Sequence, residues 1–205
     1  MAIQDHLSAL VERIGRPISI LRNAGNIADY CILLDIEFSS KPFMQEIAKN
    51  GIFAWNSEIV DGDIFKDTTT DERFMVVNAN FWVHGSVKDG KQALVYKCND
   101  NIVLYALTEA VTNEYGKKQW NWYVKVNDYA VVSYFVKGDT LKPIGDVSFD
   151  KLFITFSGRN LLGYIPKQGD RIVLQSGKVL QIDGIDDHLY AGCYETICSL
   201  DQKAP

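Results

Sequence analysis

Residues that carry chemistry are scarce in this chain. Histidine occurs three times, at 6, 84 and 188, each at a predicted helix start or turn rather than beside a Ser or Cys nucleophile. No GxSxG elbow accompanies them, so no triad is assigned. The four cysteines, 31, 98, 193 and 198, form no CxxC pair and have no histidine at ligand spacing, which argues against a zinc site. Cys193 and Cys198 are an odd number of positions apart on a predicted strand and face opposite sides of it, so they are read as buried thiols and not as a disulfide. Neither GxGxxG nor GxxxxGK[ST] is present, which removes the dinucleotide and P-loop classes. No basic cluster offsets the net charge of -5, so a groove tracking phosphates is not expected. No apolar run approaches the ~18 residues of a membrane span, and no basic-then-apolar leader opens the chain. The expectation is a soluble protein without a membrane partner, a catalytic residue, a cofactor or a metal.

What is present is β-forming sequence. Apolar residues make up 47% and charged residues 23% of the 205, the balance of an ordered globular protein. In the run Lys167 to Leu200, the mostly apolar stretches 172–175 and 178–182 flank Ser176-Gly177 and predict a tight hairpin. Gly169-Asp170 opens this unit and 193–200 adds a strand, making a three-stranded meander. Residues 60–99 repeat the order: Gly62-Asp63, a strand at 73–81, a turn, and a strand at 92–97. Asp89-Gly90 is read as the hairpin turn between 83–88 and 92–97.

Leu7, Leu10, Val11 and Ile14 share one face of a predicted helix from Asp5 to Ile14, stopped by Gly15. Ile18 to Leu21 and Tyr30 to Phe38 read as strands, Pro42 to Asn50 as a short helix, and 101–142 as two or three aromatic-rich strands. Leu152, Ile154 and Phe156 alternate on a further strand, and Lys142 to Asp146 is the best linker candidate. The fold class is mainly β: small antiparallel barrel or sandwich units with one or two short helices. The predicted divisions are 1–59, 60–142 with its aromatic insert, and 143–205, with one continuous β domain as the other possibility.

Two kinds of residue raise functional questions. Asp61 and Asp63, and Asp183, Asp186 and Asp187, pose a calcium question, but they lack the alternating carboxylates, central glycine and closing Glu of the twelve-residue loop. Asp beside Gly is read as a turn former. Trp120, Trp122 and Tyr123 form an aromatic patch that suits core packing, a protein partner, or stacking on sugars. In the last case the chain would be a β-rich carbohydrate- or cell-wall-binding module or hydrolase, with Glu114 and Asp128 the nearest acids.

The layout Gly62 to Asn99, followed by IGDVSFDKLFITFS at 144–157 and QGDRIVLQSGKVLQIDGIDDHLYAGCYETICSLD at 168–201, resembles neck proteins of tailed bacteriophages, the head-completion or head-closure (stopper-like) group. The resemblance spans about two thirds of the chain and rests on strand and turn signatures. It implies a structural virion protein without enzymatic activity, built in the bacterial cytoplasm as a small β-barrel subunit. It further implies a symmetric homo-oligomeric ring between a portal or adaptor protein and a tail terminator or tail tube protein, with DNA passing through the lumen without specific binding. Candidate subunit or partner contacts are Trp82, His84, Lys88, Trp120, Trp122, Tyr123, Asp187, His188 and Tyr190.

Overall fold

The structure is a computed structural model that describes residues 3–36, 47–84, 87–107, 111–112, 115–116, 118–119, 121–133, 151–186 and 192–201. It is mainly β and contains two closed six-stranded antiparallel barrels. The chain divides into two units, one of residues 1–98 with Tyr190–Cys193, the other of 99–189 with 194–205.

The first unit opens with helix α1 (Ile3–Ile14). Gly15 N–H closes its last turn on Val11 O at 2.8 Å, and a Cβ at Gly15 would lie 2.3 Å from that oxygen. The buried face is narrower than the apolar spacing predicts: Val11 is fully buried and Leu7 half-buried, while Leu10 and Ile14 are exposed. Strands β1 (Arg16–Leu21), β2 (Ile27–Asp35), β3 (Ala48–Ala54), β4 (Ile64–Asp67), β5 (Arg73–His84) and β6 (Val87–Lys97) close in the order β1-β2-β3-β6-β5-β4. The predicted helix Pro42 to Asn50 is corrected in part: Ala48, Lys49 and Asn50 begin β3 and pair with Tyr96, Val95 and Leu94, and its residues 42–46 lie outside the described ones. Ile18, Ile20, Phe53, Phe65, Phe74 and Val95 fill this barrel. Phe65 stacks on Phe74 at 5.4 Å and meets Phe53 edge-on at 5.8 Å, each pair adding about 1 kcal/mol beyond area burial.

The second unit has β7 (Asp100–Leu107), β10 (Trp122–Ser133), β11 (Lys151–Ser157), β12 (Arg171–Leu174), β13 (Val179–Asp186) and β14 (Cys193–Leu200), with a two-stranded sheet of β8 (Val111–Thr112) and β9 (Lys118–Gln119). Its closed order is β7-β10-β11-β14-β13-β12, the order of the first barrel strand for strand. Leu152, Ile154 and Phe156 point inward as their alternation predicts, with Ile102, Leu104 and Ile182. In each barrel the loop between the third and fourth strands sends one apolar side chain into the core, Ile59 in the first and Leu161 in the second.

The repeated Gly-Asp is the same turn in both barrels. Asp63 N–H bonds Val60 O while its carboxylate takes Val60 N–H; Asp170 does the same with Lys167. Gly62 N–H bonds Val76 O and Gly169 N–H bonds Ile182 O, both at 2.8 Å, with both glycines at positive φ.

One predicted turn is corrected, and the chain divides elsewhere than at the predicted boundaries. The break falls between Cys98 and Asn99 and not at 59/60 or 142/143, because β1 pairs with β4 and β3 with β6, so residues on both sides of 59/60 build one barrel. The linker candidate Lys142 to Asp146 lies outside the described residues, between two paired strands of the second barrel, β10 and β11. Asp89-Gly90 is not a turn. It lies within β6, and the hairpin closes where His84 pairs with Val87. A Cβ at Gly90 would lie 2.5 Å from Leu7 Cδ2 of α1, which would have to shift, and 3.2 Å from Phe53 O. The Ser176-Gly177 hairpin is present with one more loop residue than predicted. Leu174 N–H bonds Lys178 O and Gly177 takes the left-handed position, the three-residue form.

Candidate functional site

The predicted contact residues fall into two described groups. The first is the far end of the β5–β6 ribbon. β6 stays paired with β3 as far as Gly90, whereas β4 pairs with β5 only at Arg73, Phe74 and Met75. Beyond Met75 β5 therefore continues beside β6, itself paired with β3 as far as Gly90 opposite Trp82, and only Val83 and His84 with Lys88 and Val87 form a two-stranded ribbon end. The exposed residues of β5 beyond Met75 are Asn78, Asn80, Phe81, Trp82 and Val83, with Trp82 at 50% and Val83 at 51%. Trp82 is paired with Gly90, and on that sheet face the place of a Gly90 side chain is taken by Leu7 of α1. Lys91 Nζ lies 5.1 Å from the Phe81 ring centroid. His84 and Lys88 belong to this ribbon by register, Val83 opposite Lys88 and His84 opposite Val87; their side chains lie outside the description.

The ribbon is held at its base by polar groups. Lys91, itself buried, donates from Nζ to Ser57 O and Ile59 O. Asp61 accepts Ala79 N–H, and Arg22 grips the Asp63 carboxylate with Nε and Nη2 at 3.1 and 2.7 Å. The hydrogen bond to Asp63 is the first cause that raises the Arg22 pKa above its ordinary value. These aspartates are thus spent on turns and on an arginine, as Asp183 is on Ser199 Oγ.

The second group opens β10. Trp122 is half-buried and pairs with Leu107, and the Arg171 guanidinium carbon lies 3.9 Å from its ring centroid. Arg171 in turn ion-pairs with Asp201. One face of Trp122 is therefore taken by a cation of its own barrel. Tyr123 is 56% exposed. Asp128, weighed as an acid, is buried and accepts Asn160 Nδ2 and Tyr129 N–H. Burial pushes its carboxyl up, against the pull of those two bonds. Trp120, Glu114, Asp187, His188 and Tyr190 lie outside the described residues, so their predicted roles are not placed.

The residues that sequence reasoning passed over are Phe81 and Val83, the neighbours of Trp82. Their signal was available: three successive large apolar residues cannot all face a core from one strand, because alternate residues face opposite sides.

No family model matches the chain, and no curated protein matches it. Solved structures that overlap it include protein SF1141 from Shigella flexneri 2a, at 17% identity, covering 52% of this chain and 96% of that one with a TM-score of 0.39. The apo structure of MrkH from K. pneumonia overlaps at 11% identity, 98% of this chain and 85% of that one, with a TM-score of 0.23. A second MrkH structure, of a protein described as a c-di-GMP-dependent transcription regulatory factor, gives 11% identity, 98% and 84% coverage, and a TM-score of 0.21. Overlaps this loose transfer no function to the present chain.

Proposed function

We propose that this chain is a non-catalytic assembly protein, a two-barrel building block that docks other proteins through strands and loops left exposed by barrel closure. Its specific form, on the resemblance of its strand and turn layout, is a ring subunit of a tailed-phage neck. That ring would sit between a portal or adaptor and the tail terminator or tail tube, with DNA passing through its lumen. The observation that carries the docking role is the β5–β6 ribbon, which continues past its β4 neighbour with Trp82 and Val83 half exposed. Aromatic side chains at the surface are a frequent source of binding energy between proteins. A carbohydrate-binding role has less behind it, since Trp122 holds Arg171 on one face and Asp128 is tied to Asn160.

Light scattering and negative-stain electron microscopy of the purified chain test this reading, alone and mixed with portal, adaptor or tail-tube rings. A closed ring, formed alone or on one of those partners, is the expected result. A chain that adds to none of these rings overturns the neck assignment.

A further inference from the structure

We infer that the loop between β11 and β12, together with the bulge of β10, is a docking patch for the surface of an anionic lipid bilayer. This goes beyond the assembly reading and does not depend on it. Among the described residues no helix is long and apolar enough to cross a membrane, but a peripheral contact needs no spanning element.

The loop holds an apolar side chain outward at a conformational cost. It follows the 3₁₀ turn Arg159–Leu161. Leu161 enters the barrel core, and Tyr164 is fixed by its N–H to Leu161 O at 2.9 Å and its hydroxyl to Asp170 Oδ2 at 2.7 Å. Between these anchors Leu162 turns outward, 81% exposed, at φ 51° and ψ 39°. That left-handed conformation suits Gly or Asn and is strained for leucine, and a side chain so exposed buries little against the fold in return. Strain kept without a structural return points to use. Ile165, 62% exposed, stands beyond Tyr164 on the same loop.

The surroundings of the loop select the occupant. Ser157 to Gly169 and Gln119 to Asn127 contain no Asp or Glu in a chain of net charge -5, and they present Lys167 and Lys125 exposed. The complement of the patch is therefore negative. β10 bulges at Lys125, whose Nζ lies 5.0 Å from the Tyr164 ring centroid. Tyr123 and Val124, just before the bulge, are exposed as well. Aliphatic tips with tyrosine and lysine are the composition of a bilayer interface, where the aliphatic groups enter the acyl region and the lysines reach lipid phosphates. Protein interfaces make the opposite choice, with lysine depleted and leucine under-represented among the residues that carry binding energy.

Co-sedimentation of the full chain with vesicles tests this, one set of phosphatidylcholine alone and one of phosphatidylcholine and phosphatidylglycerol in equal parts. The wild type is expected to bind the anionic vesicles at least about tenfold more tightly than the neutral ones. Leu162→Asn combined with Ile165→Ser is expected to weaken that binding at least about tenfold, and Lys125→Gln and Lys167→Gln about fivefold each. Because Asn accepts the left-handed conformation, Leu162→Asn should unfold at or above the wild-type midpoint, which separates lost binding from a lost fold. Should the double variant fail to fold, Leu162→Asn alone replaces it. A wild type that ignores both kinds of vesicle overturns the proposal, and so does a double variant that binds as the wild type does. Equal binding to both kinds overturns the choice of an anionic surface. A wild type that ignores vesicles but joins a portal or tail-tube ring that the double variant does not join would assign the patch to a protein and overturn the lipid reading.

Discussion

Gly62 and Gly169 hold the same place in the two barrels but meet different neighbours. Both have positive φ, 78° and 95°, and both donate a backbone hydrogen bond across a hairpin. A Cβ on Gly169 would find only Leu107 Cδ2, at 3.8 Å. A Cβ on Gly62 would lie 2.3 Å from Gly192 O, a backbone atom of the same unit that cannot swing away. Left-handed strain alone costs about 1 kcal/mol. Gly169→Ala is therefore expected to lose about that much, and Gly62→Ala about 3 kcal/mol or more, because a backbone collision is added. Urea unfolding of the two variants checks this, and equal losses would mean that the Gly192 contact relaxes freely. The Gly-Asp repeat was legible in sequence as a turn. What each carboxylate holds was not, since Arg22 lies far along the chain from Asp63 and Tyr164 bonds Asp170 through a hydroxyl that no spacing rule points to.

Elements are terminated by turns, and the β4–β5 turn depends on Asp67. Its Oδ1 takes Thr69 N–H at 2.8 Å and Thr70 N–H at 3.2 Å, its Oδ2 takes Arg16 Nη1 at 3.0 Å, and its side chain is fully buried. Burial pushes the carboxyl up, but these donors outweigh it and hold the pKa below its ordinary value of 3.8. A depressed folded-state value means that the unfolded chain binds the proton first as pH falls. The stabilisation is therefore complete above pH 3.8 and is lost as pH drops through the lower folded value. Asp67→Asn keeps an acceptor for Thr69 and Thr70 but gives up the charge, at an expected cost of about 1 kcal/mol at neutral pH, discounted because Arg16 is half exposed. Unfolding midpoints from about pH 7 to about pH 2 should show the difference between variant and wild type closing only in the acid range. A difference independent of pH would mean that the carboxylate charge contributes nothing. The strands themselves were readable wherever alternation was clean, as at Leu152, Ile154 and Phe156. Asp89-Gly90 misled because the dipeptide that makes a hairpin turn also lets a backbone approach Leu7, and sequence does not show that α1 lies there.

At the scale of the molecule, the repeat of strand order was visible in sequence for the second half of each barrel, but closure was not. Closure joins β1 to β4 and β7 to β12, and long-range pairings of this kind leave no local signal. The sequence also could not show that the first unit draws in Tyr190–Cys193, so that its division from the second unit is not a single cut in the chain. Within that unit Cys193 Sγ lies 3.5 Å from Val76 O as a weak donor, and Gly192 packs on the Asp61–Gly62 backbone. A fragment of residues 1–98 keeps all six strands of its barrel but loses both contacts, and leaves the Gly62 turn uncovered. It is expected to fold and to be less stable by about 1–2 kcal/mol than the same barrel within the whole chain. Amide hydrogen exchange along β5 provides the comparison, with protection of Val76 and its neighbours reduced in the fragment and Ile18 to Ile20 of β1 less affected. Equal protection in fragment and full chain would show that Gly192 and Cys193 rest on the first barrel without supporting it.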